Sequence, residues 1–308
     1  MTDGFKIQLG GYTHSEVAKL RNKANLKSTL KKLDTLPAMP AIAQKLLTLP
    51  LDTNEGESAM LKLIEHDPQL SAKIIGLANT PLFGSSHKAT SVRDAAMLLG
   101  MTRVKSVAIG IAAMSALTKM PPGRLSVQDL WLHSLTVALS MRTIAQCMPA
   151  QARPSNDQIF LAGLLHDIGY LVLAYLDSKL SDELHAQITD EQSGRSMLEI
   201  ELELLGITHC ELSAQLAQNW GLPNDIIAAL RYHHAPVSPD ISEGNLLIGI
   251  INIAEKLHPS FDIPELSEPE IGDMEWSALG IDPCRNEEIR ARVVAQAEQA
   301  KQLANTMA

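Results

Sequence analysis

The stretch FLAGLLHDIGYLVLAYL, residues 160–176, sets a histidine and an aspartate side by side in an otherwise almost wholly apolar run. An ionised carboxylate taken out of water costs several kcal/mol unless it is paired, hydrogen-bonded or held on a metal. His166 and Asp167 therefore require partners that the run itself does not supply. The run is about 18 residues long, near the shortest that spans a bilayer. Its two ionisable residues fall at the middle, where a membrane tolerates them least. It reads as a single helix buried in a protein core, with His166 and Asp167 midway along it, and not as a membrane span.

The rest of the chain supports a helical core. Aromatic residues make up only 4% of the 308, so the interior has to be built from Leu, Ile, Ala and Met. Ala and straight-chain residues lose little entropy in a helix, whereas β-branched and aromatic ones favour strands. No segment alternates with a period of two for long enough to demand a strand. The expected fold class is all-α in two helical lobes. Residues 1–33 read as a basic helical lead-in, 34–120 as an N-terminal lobe, 121–261 as a second lobe carrying the candidate site, and 262–308 as an acidic linker with a C-terminal amphipathic helix. The lobe boundary is placed in TKMPPGRLS, at Pro121, Pro122 and Gly123. Within the first lobe, LKLIEHDPQLSAKIIGLANT reads as two helices hinged at Asp67–Pro68, and a further helix begins near Ser91 and closes at Gly100. The final helix, 286–307, is open to two uses: packing on the body, or a contact in a homodimer.

The formal charge is −9, whereas a general nucleic-acid binder carries a basic footprint. The charge is unevenly spread, with seven Lys/Arg in residues 1–32 and nine Asp/Glu in residues 262–288. ELSAQLAQNWGLPNDIIAALRYHH has a helix, a Gly-Leu-Pro turn and a helix, but its second helix offers only Arg231 to a phosphate or base edge. No nucleic-acid partner and no membrane is expected. Cys147, Cys210 and Cys284 stand far apart with no CxxC pair and no leader peptide, which leads to the expectation of a reducing, cytoplasmic setting.

Six of the ten histidines, His133, His166, His185, His209, His233 and His234, lie within residues 133–234. His133 shares a helical stripe with Leu130, Val137 and Ile144 and so faces inward, with Asp129 one turn before it. His209 opens a helix whose partner ends in the doublet His233–His234. Glu255 sits in an apolar helix four residues after Ile251. Imidazole nitrogens with carboxylate oxygens suit Fe, Mn, Zn, Ni or Co, and the scarcity of cysteine argues against a finger-type structural zinc. Neighbouring residues on a helix point about 100° apart, so one metal takes both His166 and Asp167 only with a favourable local geometry.

Five segments in order, LPAMPAIAQKLL, IEHDPQLSAKIIGLANTPLFG, ATSVRDAAMLLGMTRVKSVAI, FLAGLLHDIGYLVL and HCELSAQLAQNWGLPNDIIAALRYHH, resemble the HDOD family of bacterial signalling-output proteins, which are related to the HD metal-dependent phosphohydrolases. The resemblance runs from Leu36 to Leu257. It implies an N-terminal helical lobe packed on an HD-like bundle, with one or two divalent ions (Fe, Mn, Ni or Zn) held by an H…HD…D pattern. His133 matches the first histidine of that pattern and His166–Asp167 the HD pair. His209, His233 and His234 resemble the additional ligands of the multi-metal branch, Asp129 its extra carboxylate, and Glu255 stands where a final Asp is expected. Asn79 stands where the family has an asparagine and is expected to tie helices by hydrogen bonds.

Three departures separate this chain from the hydrolases it resembles. Glu255 is one methylene longer than Asp, Tyr170 replaces a frequent Lys, and APVSPD follows His234 with no Gly-Tyr-Pro. Two readings remain. In the first, the chain is a regulatory module that binds metal and acts through a signalling protein partner or a small phosphorylated ligand. In the second, it is a phosphohydrolase in which metal-activated water attacks phosphorus, with Asp167 and His166 as catalytic residues and Asp167 bridging.

Overall fold

Helix ends in this chain are fixed by local capping chemistry. The computed structural model describes residues 35–80, 88–117, 123–189, 195–235, 245–257 and 270–307. Helix α1 is Ala41–Thr48, α2 Asn54–Glu65, α3 Pro68–Ala78, α4 Val92–Leu99 and α5 Met101–Leu117. Thr53 caps α2 by accepting from Gly56 N. Asp67 caps α3, with Pro68 at its first position where no N–H is wanted. Ser91 and Asp94 form a reciprocal capping box on α4, and Gly100, at φ 89°, turns the chain directly into α5. The Asn79 side chain clamps Ala89 from both sides, donating to its carbonyl at 2.8 Å and accepting from its N–H at 2.7 Å. The hinge at Asp67–Pro68, the Ser91 start, the Gly100 stop and the tying role of Asn79 are thus all present.

The second half runs α6 Val127–Cys147, α7 Asn156–Leu165, α8 Ile168–Leu176, α9 Ser178–Ile188, α10 Met197–Leu205, α11 His209–Asn219, α12 Asn224–Tyr232 and α13 Leu246–Leu257, followed by α14 Asp273–Ala278 and α15 Asn286–Met307. All regular elements among the described residues are helices. Helices α5 to α8 are buried on nearly every side, as helices at the centre of a bundle must be. Asn156–Leu176 is long and apolar enough to cross a membrane, yet 89% of its most apolar window is buried inside the protein.

The helices before residue 118 and those after 123 share one continuous apolar core, with α5 lying against α7. At that crossing Gly110 lets the helices close up, since a Cβ there would stand 3.1 Å from Leu164 Cδ1. Trp220 Nε1 donates to Pro37 O at 2.9 Å and Lys105 Nζ to Leu49 O at 2.8 Å, tying the segment around α1 to both halves. The lead-in 1–33, Pro121 and Pro122 of the expected boundary, and residues 262–269 lie outside the described residues.

Two expectations need correction. The acidic segment is not all linker: α14 inserts a fully buried Trp276, with Leu279 and Ile281 beside it, and Lys256 pairs with Glu275 at 2.7 Å. A single aromatic anchor gives too little periodicity to show in the sequence. The apolar run 160–176 is also not one helix. It breaks at His166–Asp167, the last of which has φ −101° and ψ 13°. The final helix packs on α6 through buried Ile289, Val293 and Ala297, and Thr143 Oγ1 donates to Gln296 Oε1 at 2.9 Å.

Candidate metal centre

The helix break is made by a residue distant in sequence. Ser213 Oγ, from α11, accepts from Gly169 N at 2.8 Å and donates to His166 O at 2.7 Å. It thereby takes over both backbone groups that a continuous helix would have used internally. Gly169 is what lets α11 come so near, because a Cβ there would lie 2.0 Å from His209 O. His166 becomes the last residue of one helix and Asp167 the cap of the next, so both side chains turn toward the same centre.

His166 and His233 are held alike. Each caps the C-terminal end of a helix and donates Nδ1–H at 2.8 Å to the carbonyl three residues back, Gly163 and Leu230 respectively. In the neutral imidazole that bond fixes the tautomer and turns the Nε2 lone pair toward the centre. His209 is oriented differently. Its Nδ1 donates to Glu201 at 2.8 Å, while its backbone N–H donates to the other oxygen of the same carboxylate at 2.9 Å. Glu201, fully buried on α10, escaped the sequence analysis, because MLEIELELL carries several glutamates and only the fold shows which one points inward.

Asp167 lies between two groups of donors. Its Oδ2 is 3.5 Å from His133 Nε2 and 3.4 Å from His166 Nε2. Its Oδ1 is 3.4 Å from His209 Nε2 and 3.6 Å from His233 Nε2. Glu255, despite its different length, reaches in: Oε1 is 3.4 Å from His166 Nε2 and 3.8 Å from His233 Nε2, and Oε2 is 3.4 Å from His234 Nδ1. All seven expected ligands therefore gather at one place, and the extra candidate, Asp129, does not. Asp129 stays half-buried in the first turn of α6, outside both donor groups. His185 is also left out, bonded to Ser181 O behind the ring of Tyr170. Cys210, whose isolated place in the sequence points only to a redox setting, does join the cluster, 3.4 Å from His209 Nε2.

The donor set fits divalent metal. The side chains of Asp167, His166 and His233 are fully buried, and neither oxygen of Asp167 accepts a hydrogen bond among the described residues. A buried carboxylate left in that state is costly unless positive charge, from imidazolium or from a metal, stands beside it. Burial holds His166 down at about 3, outweighing the pull of Asp167, and likewise lowers His133 and His234. Burial opposes charge on His209 and His233 too, but there Cys210 with Glu201 or Glu255, and Asp167, outweigh it and raise both imidazoles well above their usual range. Burial would raise Asp167, yet the surrounding imidazoles hold it well below the ordinary carboxylate range.

Two consequences can be measured. A metal must displace protons from His209 and His233, so affinity is expected to rise with pH through the neutral range and binding to release protons. Titration calorimetry in two buffers of different ionisation enthalpy checks this, and identical heats in both would contradict it. Glu201→Gln is expected to weaken metal binding by about 10- to 100-fold, the usual effect of losing a carboxylate that orients a ligating histidine. Competition against a chromophoric chelator reads that loss.

The departure at Tyr170 and the lone cation Arg231 also have structural accounts. Tyr170 stacks on His209, with ring centroids 4.5 Å apart, and its hydroxyl donates to Met197 Sδ, so it forms a wall of the centre. Arg231 makes a two-point pair with buried Glu211, at 2.8 and 3.2 Å, which commits the guanidinium that stands nearest the histidine doublet in sequence.

A histidine, a His–Asp pair and a histidine doublet gathered inside an all-helical bundle relate the chain to the HD phosphohydrolase fold. The chain belongs to the HDOD family, whose domain model matches residues 36–236. It is similar to an HDOD domain protein of unknown function from Geobacter sulfurreducens, with a TM-score of 0.74 and 24% identity over 91% of this chain and 98% of that one. It also resembles a candidate signal transduction protein from Marinobacter aquaeolei VT8, with a TM-score of 0.70 and 24% identity over 96% of this chain but 64% of that one. A protein of Treponema pallidum (strain Nichols) without assigned function is 23% identical over 216 residues, 69% of this chain and 40% of its own length. At these identities the two solved structures establish the fold alone.

Proposed function

We propose that this chain is a regulatory module of the HDOD type, in which the HD-derived cluster holds one or two divalent ions as a buried staple and the module acts through a signalling protein partner or a small phosphorylated ligand. The burial of the ligands carries this reading: none of His133, His166, Asp167, His209, His233 and Glu255 is more than 5% exposed. Such a centre admits an ion more readily than a phosphoester. His133, His166, Asp167 and Glu255 would hold one ion, and His209, His233 and Asp167 a second, with His234 beside Glu255 at the edge of both. Glu201, Gly163 O and Leu230 O orient the imidazoles, and Ser213 holds the helix break open. A bound ion supplies positive charge against Asp167 and Glu255 and, toward a phosphoester, Lewis acidity. With Arg231 spent on Glu211, and Tyr170 stacked where a lysine often stands, the phosphate-side cations that hydrolysis requires are lacking at these two positions.

Elemental analysis of the untagged protein tests this, together with thermal unfolding before and after chelation. One or two equivalents of Fe, Mn, Ni or Zn are expected, with a lower unfolding temperature once they are removed. No metal after anaerobic reconstitution would end the reading. The two-sided disposition of Asp167 favours a second reading, a metal-dependent phosphohydrolase. Hydrolysis of bis-p-nitrophenyl phosphate by the metal-loaded protein, lost in Asp167→Asn, would establish it.

A further inference from the structure

Cys210 occupies a place in the cluster that the HD pattern of histidines and carboxylates does not account for. Its thiol is buried, with Sγ 3.4 Å from His209 Nε2 and 3.8 Å from His233 Nε2. The two imidazole nitrogens are 3.3 Å apart, and Asp167 Oδ1 stands 3.4 and 3.6 Å from them. These separations can be compared with the edges of a coordination polyhedron. Metal–nitrogen bonds of about 2.0–2.1 Å and a metal–sulfur bond of about 2.3 Å, arranged tetrahedrally, put nitrogens roughly 3.3–3.4 Å apart and sulfur roughly 3.6 Å from nitrogen. An octahedral arrangement of the same bonds would require about 2.9 and 3.1 Å. The separations between nitrogens, from sulfur to nitrogen and from Asp167 Oδ1 to nitrogen lie nearer the tetrahedral values than the octahedral ones. The fourth corner falls to Asp167 Oδ1, which is buried and accepts no hydrogen bond among the described residues.

We propose that Cys210 is a thiolate ligand, completing a four-donor site with His209, His233 and Asp167. The inference rests on reading the cluster as a metal centre. On binding, the thiol proton leaves to solvent and a sulfur–metal bond forms, with no change of oxidation state. The two halves of the centre are then chemically unequal. The half built on His133, His166, Asp167 Oδ2 and Glu255 offers nitrogen and oxygen alone. The half containing Cys210 adds a soft donor, which favours zinc, cobalt or ferrous iron over manganese and magnesium.

Cobalt(II) titrated into the metal-free, untagged 308-residue chain tests the assignment. Visible ligand-field bands are expected together with a near-ultraviolet sulfur-to-cobalt charge-transfer band. That band is expected to vanish in Cys210→Ser and to persist in a Cys147→Ser/Cys284→Ser double variant. Cobalt bound without the band, or a band indifferent to Cys210→Ser, overturns the thiolate assignment and leaves the metal centre standing. No cobalt bound at all overturns the metal centre itself. Should Cys210→Ser fail to fold, X-ray absorption at the zinc edge of the loaded wild-type protein decides the matter: a sulfur shell at about 2.3 Å is expected, and scattering from nitrogen and oxygen alone refutes it.

Discussion

Asp167→Asn is expected to purify with almost no bound metal, although it changes a single atom of one side chain. The reason is the two-sided position of the carboxylate, with Oδ2 toward His133 and His166 and Oδ1 toward His209 and His233. An amide keeps one weak oxygen donor and turns the other corner into an N–H donor that repels a cation, so neither half retains its bridging charge. The consequence for stability follows from linkage. A ligand present at 1,000 times its dissociation constant stabilises the folded state by about 4 kcal/mol, and this contribution is absent from a variant that cannot bind. Chemical denaturation of both proteins, with and without saturating zinc, measures it. The wild type is expected to gain stability on loading and the variant not to. A variant that retains two equivalents of metal, or a wild type indifferent to zinc, would refute the bridged centre.

Gly169→Ala is expected to destabilise the protein by about 3 kcal/mol, the upper end of what overpacking costs, and to weaken metal binding at the same time. Helix propensity taken alone predicts the opposite sign, since Ala exceeds Gly by about 1 kcal/mol within a helix. The decisive quantity is the 2.0 Å between the added Cβ and His209 O, which is backbone and cannot rotate away. To relieve it, α8 and α11 must separate. Separation pulls Ser213 out of the helix break and carries His209 away from Asp167. A urea midpoint equal to or above that of the wild type would show that the two helices do not approach so closely.

The contrast between these two residues shows what the sequence could convey. Asp167 was legible because a carboxylate in an apolar run demands compensation wherever it occurs. The caps at Asp67 and Ser91 and the stop at Gly100 were legible because their chemistry acts within three or four residues. Glu201, Ser213 and Gly169 act on partners 8 to 47 residues away, and nothing in their immediate neighbours distinguishes them. The apolar run looked like one helix for the same reason: the hydroxyl that divides it lies on another helix. Glu255 was legible as a candidate but its reach was not, since that depends on where α13 lies relative to α7 and α12. Asp129, one turn from His133, had the right spacing, yet its half-exposed position at the start of α6 leaves it outside the cluster.

The contact at Gly110 has a mechanical consequence. With Leu164 set against Gly110, α5 and α7 lie close together at this crossing and have little room to shift past one another. The same turn of α7 ends in His166, whose ring is held to Gly163 O by a hydrogen bond. The nitrogen that faces the centre is therefore the tip of a lever, and its handle is the block of helices in the first half of the chain. A tilt of that block would displace the tip against Asp167 and Glu255.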